Sequence, residues 1–135
     1  MSSVFININA ALNKNLDDMT GKPSIAWEGK KFTPVNSELY LLPTNEQGET
    51  IAVTGQDETI GVYQIGILAP VGKGNYDILV IADQIADQFK QDKEITYLTQ
   101  TVNVRSVSRS SIRPQADGWL HMSVDVTYYA FSDRR

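Results

Sequence analysis

The sequence predicts an α+β domain: a mainly antiparallel sheet of about five strands, with a mixed arrangement left open, and two helices packed on one face. Two segments repeat apolar residues every three or four positions, which is the period of an α-helix. Several other segments alternate apolar and polar residues, which is the period of a strand. The order of helix, strands, helix and strands favours helices gathered on one side of an antiparallel sheet.

Composition limits the classes of protein that fit. A chain of 135 residues with 41% hydrophobic content suits one core, so residues 1–135 are predicted to form a single domain. The net charge of −4 disfavours tight nucleic-acid binding, which relies on a basic surface. The absence of cysteine excludes disulfides and sulfur-ligated zinc. No signal peptide or membrane-spanning run is recognisable, so we expect a cytoplasmic protein without a membrane partner.

The first third predicts a helix followed by two strands. Gly21 and Pro23 end the helix, because glycine permits a left-handed cap and proline cannot continue the hydrogen bonds. A short strand is expected over residues 25–27, and a second one in the segment ELYLLPT. The apolar stripe of the helix consists of Phe5, Ile8, Leu12, Leu16 and Met19.

The middle third predicts a loop, a strand and a second helix. The segment NEQGETIAVTGQDET is rich in glycine, threonine and acids, so a mobile surface loop is expected over residues 46–59. IGVYQIGILAP then alternates as a strand. In the helix that follows, Asn75 is the expected N-cap. Its predicted buried stripe is Ile78, Leu79, Ala82, Ile85, Ala86 and Phe89, and its predicted outward residues are Asp83, Gln84, Asp87 and Gln88.

The last third predicts strands. EITYLTQTVNVRSVSRSSI is rich in β-branched residues, and RPQADGW supplies turn residues. The final strand alternates, with one face expected in the core and the other exposed to water or a partner. The expected core face is Leu120, Met122, Val124, Val126 and Tyr128; the expected outer face is His121, Ser123, Asp125 and Thr127.

Two features raise the possibility of chemistry at a site. Gly72-Lys73-Gly74 lies between a strand and a helix, as a phosphate-binding loop does. However, the spacing from Gly66 is one residue too long, and Gly74 stands where the magnesium-binding hydroxyl is required. His121 is the single histidine, and no carboxylate cluster at ligand spacing accompanies it. The residues therefore favour an assembly or binding module without a cofactor over an enzyme.

Four segments together resemble the small tail terminator proteins of long-tailed bacteriophages and prophages. They are the leading helix with IAWEGKKFTP, the strand LYLLPT, the block GVYQIGILAPVGKGNYDILVIADQIADQF and the closing DGWLHMSVDVTYYA. Their order and spacing match across nearly the whole chain, and the third block is the most specific. The resemblance implies a non-enzymatic structural protein with a sheet and two packed helices.

The resemblance also implies a mechanism and partners. Tail terminators form a ring, typically hexameric, that caps the tail tube, stops its polymerisation and presents the surface for head joining. The implied partners are other copies of the chain, the major tail tube protein and the head–tail connector, with DNA passing through an acidic lumen without specific binding. The implied location is the virion tail, after assembly in the host bacterial cytoplasm. Two alternatives remain: a nucleotide-binding enzyme using Lys73, and a monomeric adaptor that binds a strand or peptide at a sheet edge.

By analogy with ring subunits, contacts to the tube or to neighbouring copies are expected in two polar segments, residues 27–34 and 46–59. Lys73 is expected to be an exposed charge at the tip of its turn. The candidate interface residues are Trp27, Glu28, Lys30, Lys31, Glu46, Glu49, Asp57, Glu58 and Lys73.

Overall fold

The computed structural model describes residues 4–21, 23–27, 39–53, 56–71, 76–115 and 118–133. These residues form two helices and seven strands. They are α1 (Val4–Asp17), β1 (Ser24–Ile25), β2 (Tyr40–Val53), β3 (Gln56–Pro70), α2 (Tyr76–Gln88), β4 (Glu94–Tyr97), β5 (Gln100–Arg109), β6 (Arg113–Gln115) and β7 (Trp119–Asp133).

The strands form one mixed sheet in the order β1-β2-β3-β7-β5-β4, and β6 pairs with β7 beyond the end of β5. β1 runs parallel to β2, whereas the other pairs are antiparallel. The predicted α+β class and mainly antiparallel sheet are confirmed, but the strands number seven rather than about five. The β-branched run that begins with EITY accounts for part of the difference, because a turn at Leu98, whose φ is 55°, splits it into β4 and β5.

Both helices pack on the same face of the sheet, called the inner face below. α1 lies against β4 and β5, while α2 lies against β3 and β7. The alternation predicted for β3 and β7 is confirmed, because their inner residues are buried beneath the helices. The largest fully buried side chains are Tyr63, Tyr128, Phe89, Ile8, Leu12, Leu16, Leu41, Ile65, Ile67, Ile78, Ile85 and Val102.

The segment predicted as a mobile loop over residues 46–59 is strand at all its described positions, 46–53 in β2 and 56–59 in β3, so the prediction of a loop was wrong. β2 pairs with β3 from Tyr40 to Val53, with one irregularity between Gln47 and Thr50. β3 pairs in turn with β7 along its whole length. Glycine and acidic residues disfavour strands on average, but strand propensity depends on context, and here β3 has a hydrogen-bonded neighbour on both sides.

A polar network ties α1 to three strands. The Tyr63 hydroxyl donates to Asn13 Oδ1 at 2.5 Å, and the Tyr128 hydroxyl donates to Asn45 Oδ1 at 2.8 Å. Asn45 Nδ2 also donates to Asn9 Oδ1 at 3.3 Å. Because both tyrosine rings are fully buried, their hydroxyls need partners, and asparagines on the helix and on β2 supply them.

A second polar cluster joins the ends of the two helices. Asn15 Nδ2 donates to the Gln88 carbonyl at 2.8 Å, and Gln88 Nε2 donates to the Asn15 carbonyl at 2.6 Å. Lys93 Nζ donates to Asn15 Oδ1 at 3.0 Å. Gln88 was predicted to face water, which is wrong because it completes this cluster. Leu79, predicted in the buried stripe, is 44% exposed, since the helix buries a narrower face.

Candidate assembly surface

The second face of the sheet, called the outer face, carries no helix in the described part of the chain. Both described helices lie on the inner side, and the outer residues of β3 and β7 are mostly half-buried. The outer set contains one amide, hydroxyls, two carboxylates and aromatic rings rather than a continuous aliphatic layer. Its members on the two central strands are Glu58, Ile60, Val62, Gln64, Gly66, Leu68, His121, Ser123, Asp125, Thr127, Tyr129 and Phe131.

The strand register places these outer residues in rows across four strands. One row pairs Glu46 with Val62, Val62 with Thr127, and Thr127 with Ser106. The next row runs in the same way through Thr44, Gln64, Asp125 and Ser108. Each row therefore begins on β2 and ends on β5, at the two opposite sides of the sheet.

Asp125 lies in the middle of the second row with an unsatisfied oxygen. Its Oδ1 is buried and has no hydrogen-bond partner among the described residues. A buried acceptor left without a donor costs about 1–3 kcal/mol, so such a group calls for an explanation.

His121 covers a glycine on the same face. A Cβ placed on Gly66 would come within 3.2 Å of His121 Nε2, so the imidazole occupies the space above the bare backbone. Burial lowers the pKa of His121, and the positive charge of Arg113, opposite it on β6, lowers it further. The imidazole is therefore harder to protonate in the fold than in the unfolded chain, and it packs on the sheet above Gly66.

Arg105 and two aromatic rings form a cluster towards the other end of the outer face. The Arg105 guanidinium carbon lies 4.9 Å from the centre of the Tyr129 ring. The Tyr129 and Phe131 rings meet edge to face at 5.8 Å. Arginine, tyrosine and other aromatic residues are enriched where proteins bind one another, and Phe131 is 39% exposed in this chain.

Beyond Ala130 the sheet narrows to three strands, because β5 no longer pairs with β7. We call this end the arm: residues 50–53 of β2, 56–59 of β3 and 130–133 of β7. Its strands stay in register to Val53, Gln56 and Asp133. The segment predicted as a contact loop thus contributes two of the three strands of the arm.

The structure brings together only some of the predicted interface residues. Glu46 is exposed and Glu58 half-buried on the outer face, whereas Asp57 occupies an inner position in β3. Glu49 lies within β2. Trp27 is half-buried and packs against the core. The remaining candidates, Glu28, Lys30, Lys31 and Lys73, lie outside the described residues, as does the rest of Gly72-Lys73-Gly74 with Asn75.

Sequence reasoning did not single out Arg105, Tyr129 and Phe131 as candidates for contact. Tyr129 and Phe131 both follow the alternation of the final strand, which continues past Thr127, so the period of two was a usable signal. Arg105 stands close to Arg109 and Arg113 in sequence, which suggests a local basic patch but not a contact with Tyr129. It sits at an irregularity between Val104 and Ser106, and only the pairing of β5 with β7 reveals it.

The described residues offer little that resembles a small-molecule or metal site. An open groove of about 200 Å³ lies between the end of α1 and β4. Polar and charged side chains line much of this groove, including Lys14, Asp18, Lys93 and Glu94, whereas ligand pockets are mostly apolar and larger. Across the described ranges, no three histidine or acidic residues are grouped as metal ligands. No helix in those ranges is long and apolar enough to cross a membrane.

Comparisons with known proteins agree with this architecture. A solved structure of a protein without a descriptive name superposes with a TM-score of 0.78, covering 99% of this chain and 99% of that one. Its sequence is 21% identical, so the likeness shows the shared fold alone. The sequence matches none of the functionally curated proteins.

The family comparison is more specific. The family model described as phage tail terminator protein matches residues 7–128, which include most of α1, all of α2 and the strands as far as Tyr128 in β7. This confirms the resemblance found in the sequence, and it implies a structural component of the virion tail rather than an enzyme. The chain therefore belongs to the phage tail terminator protein family.

Proposed function

We propose that the chain forms a ring, a hexamer in the simplest case, that caps the end of the phage tail tube. The ring stops the addition of further tube subunits and offers the head–tail connector a surface to join. Family membership supports a role in the tail. The observation that carries the proposal is the outer face, which no described helix covers, because a sheet whose described helices all lie on one side leaves a broad surface for neighbours.

The mechanism is steric. Tube polymerisation requires that each new ring of tube protein finds the surface of the previous one, and a terminator ring replaces that surface with a different one. The face of the terminator ring that meets the tube must therefore resemble a tube subunit, and its opposite face must not bind one. Such a subunit needs rigid surfaces, and the asparagine–tyrosine network that holds α1 against the sheet supplies rigidity.

The contact residues in this proposal lie on the arm and near it. Glu46 and Glu58 present carboxylates on the outer face, and Tyr129 with Phe131 present aromatic area beside them. The segments around Trp27 and Lys73 remain candidates for the same contacts. Partners are other copies of the chain, the major tail tube protein and the connector, all within the virion tail after assembly in the host cytoplasm.

DNA enters this proposal only as a passenger. With a net charge of −4 and a pI near 4.9, a ring of several copies carries a strongly negative total charge. A negative lumen repels phosphate and allows the genome to slide without binding.

The decisive experiment is deletion of the gene from its phage or prophage, followed by electron microscopy of the tails. We expect abnormally long tails that are not joined to heads, and restoration of normal length by a wild-type copy supplied in trans. A copy carrying Lys90→Ala, a change at an exposed position on the helix side, should restore length equally well. Tails of normal length joined to heads after deletion would refute the proposal.

The outer face has its own test within the same system. Gln64→Arg and Thr127→Arg place a long cation on the outer face without touching the helix layer, because both residues point away from it. Each should leave the unfolding temperature near that of the wild type and abolish restoration of tail length. Full restoration by both variants would show that the outer face stays uncovered in the virion.

A further inference from the structure

The two sides of the sheet are unlike in charge, and both end in unpaired strand edges within the described chain. On one side of the sheet, β1 pairs with β2 only at Tyr40 and Leu41. From Leu42 onwards, the edge of β2 that faces away from β3 has no described strand beside it. On the other side, β4 covers β5 only up to Asn103, so residues 105–109 have no described strand beside them. An unpaired edge is a template for another strand.

Charge distinguishes these two edges. The β2 edge carries Glu46, whose carboxylate is exposed on the outer face, and Glu49 follows it along the strand. The opposite edge carries Arg105, which is exposed and reaches the outer face over the Tyr129 ring. Arg109, further along β5, instead forms an ion pair with Asp83 of α2 at 2.7 Å on the helix side. Charges of opposite sign therefore face outward at the two edges, Glu46 on β2 and Arg105 on β5.

From these features we infer that the β2 edge of one copy pairs with the β5 edge of the next, so that the sheet continues from subunit to subunit. The inference rests on the proposed ring and specifies how it closes. Strand direction allows the pairing, because β2, β3, β7 and β5 are each antiparallel to the next. A second copy in the same orientation therefore sets its β5 antiparallel to β2.

Register brings the charges together. Glu46 begins the row that ends at Ser106, next to Arg105, so an added copy that continues the row places its Arg105 beside Glu46. Pairing of β2 with β2 would bring two Glu46 side chains to the same seam, and pairing of β5 with β5 would bring two Arg105 side chains there. Like charges opposed across strands are unfavourable, so the edges select a head-to-tail contact. A repeated head-to-tail contact closes into a ring when the rotation between copies permits it.

The test uses two charge-reversal variants and their mixture. Glu46→Arg makes both edges basic, and Arg105→Glu makes both acidic, so each variant alone should associate about tenfold or more weakly than wild type in analytical ultracentrifugation. Mixed in equal amounts, the two variants should recover assembly, because each then supplies the edge that the other lacks. Asp87→Arg and Lys90→Glu reverse exposed charges at the helix side by the same amounts and should assemble as wild type.

Disulfide cross-linking tests the edge pairing if the wild-type protein stays monomeric in solution. The chain contains no cysteine, so single cysteines can be placed freely. Thr44→Cys and Ser108→Cys lie at opposite ends of one row, and at high protein concentration their mixture should form a disulfide-linked dimer under mild oxidation. If the register between copies is shifted by two residues, Ser106→Cys is the variant that should cross-link with Thr44→Cys instead of Ser108→Cys. Asp87→Cys mixed with Ser108→Cys gives the background rate.

Two results would overturn the edge pairing: charge variants that assemble as wild type does, or cross-linking no faster than the background pair. Either result leaves the terminator role intact if the wild-type gene still restores tail length to a deletion strain. Failure of the wild-type gene to restore length would instead refute the proposed function, whatever the edges do.

Discussion

The substitution Gly61→Ala, which adds one methyl group to β3, should destabilise the fold measurably, because Gly61 lies directly beneath the buried Tyr128 ring. A Cβ at this position would lie 2.5 Å from the Tyr128 hydroxyl oxygen, 2.7 Å from its Cζ and 2.8 Å from the Glu46 carbonyl oxygen. Favourable carbon contacts lie near 3.5–4.0 Å, so the ring or β2 must move by about 1 Å in Gly61→Ala. Neither moves freely, since Tyr128 is fully buried and β2 is paired with β3.

The cost follows from these contacts. Overpacking of this kind costs about 1–3 kcal/mol, and a ring displaced by about 1 Å also weakens the hydrogen bond to Asn45, which contributes about 1 kcal/mol. Alanine recovers about 0.5–1 kcal/mol relative to glycine in a strand. We therefore expect Gly61→Ala to lower the free energy of unfolding by about 1–3 kcal/mol in urea titrations followed by circular dichroism.

Gly66→Ala is the matched control for this prediction, because it makes the same change on the opposite face of the same strand. Its Cβ would meet His121 Nε2 at 3.2 Å, which is the far end of a half-exposed side chain that can turn aside. Its free energy of unfolding should stay within about 0.5 kcal/mol of wild type. Equal losses in both variants, or no loss in Gly61→Ala, would refute the reasoning from the Tyr128 contact.

Two further predictions concern single side chains. Tyr63→Phe removes the hydroxyl that donates to Asn13 and should lower the free energy of unfolding by about 1 kcal/mol in urea. Tyr76→Phe, at a position that is 76% exposed, should change nothing. The pKa of His121 is lowered in the fold, so the unfolded chain binds a proton more readily and stability should fall as the pH drops below about 6.5. In His121→Gln this part of the pH dependence should vanish, and its persistence would assign the effect to other groups.

The periodic parts of the sequence were sufficient to predict most of the fold. Both helices and the alternation of β3 and β7 follow from spacing alone, because a side chain buried on one face repeats with the period of its element. The exposure of Leu79 could not be predicted in this way, because helical spacing does not show how wide a face of the helix the neighbouring strands will cover. Gln88 was misplaced for a related reason: its partner Asn15 is 73 residues away in sequence.

The strand residues 46–53 and 56–59 show more clearly where prediction from the sequence fails. Glycine and acidic residues there favour a loop locally, but pairing of β3 with both β2 and β7 offsets that preference. The cluster of Arg105 with Tyr129 depends equally on pairing, in this case across an irregularity in β5 that no local pattern marks.

For this protein, the sequence by itself determined the class of fold, the two helices, the central strands and the family. These properties depend on local periodicity and on the spacing of segments along the chain, both of which can be read without coordinates. Only the tertiary structure decided which strands lie at the sides of the sheet and which charges those sides carry. The order of strands results from contacts between distant segments, so only the fold places Glu46 and Arg105 at opposite edges of the sheet.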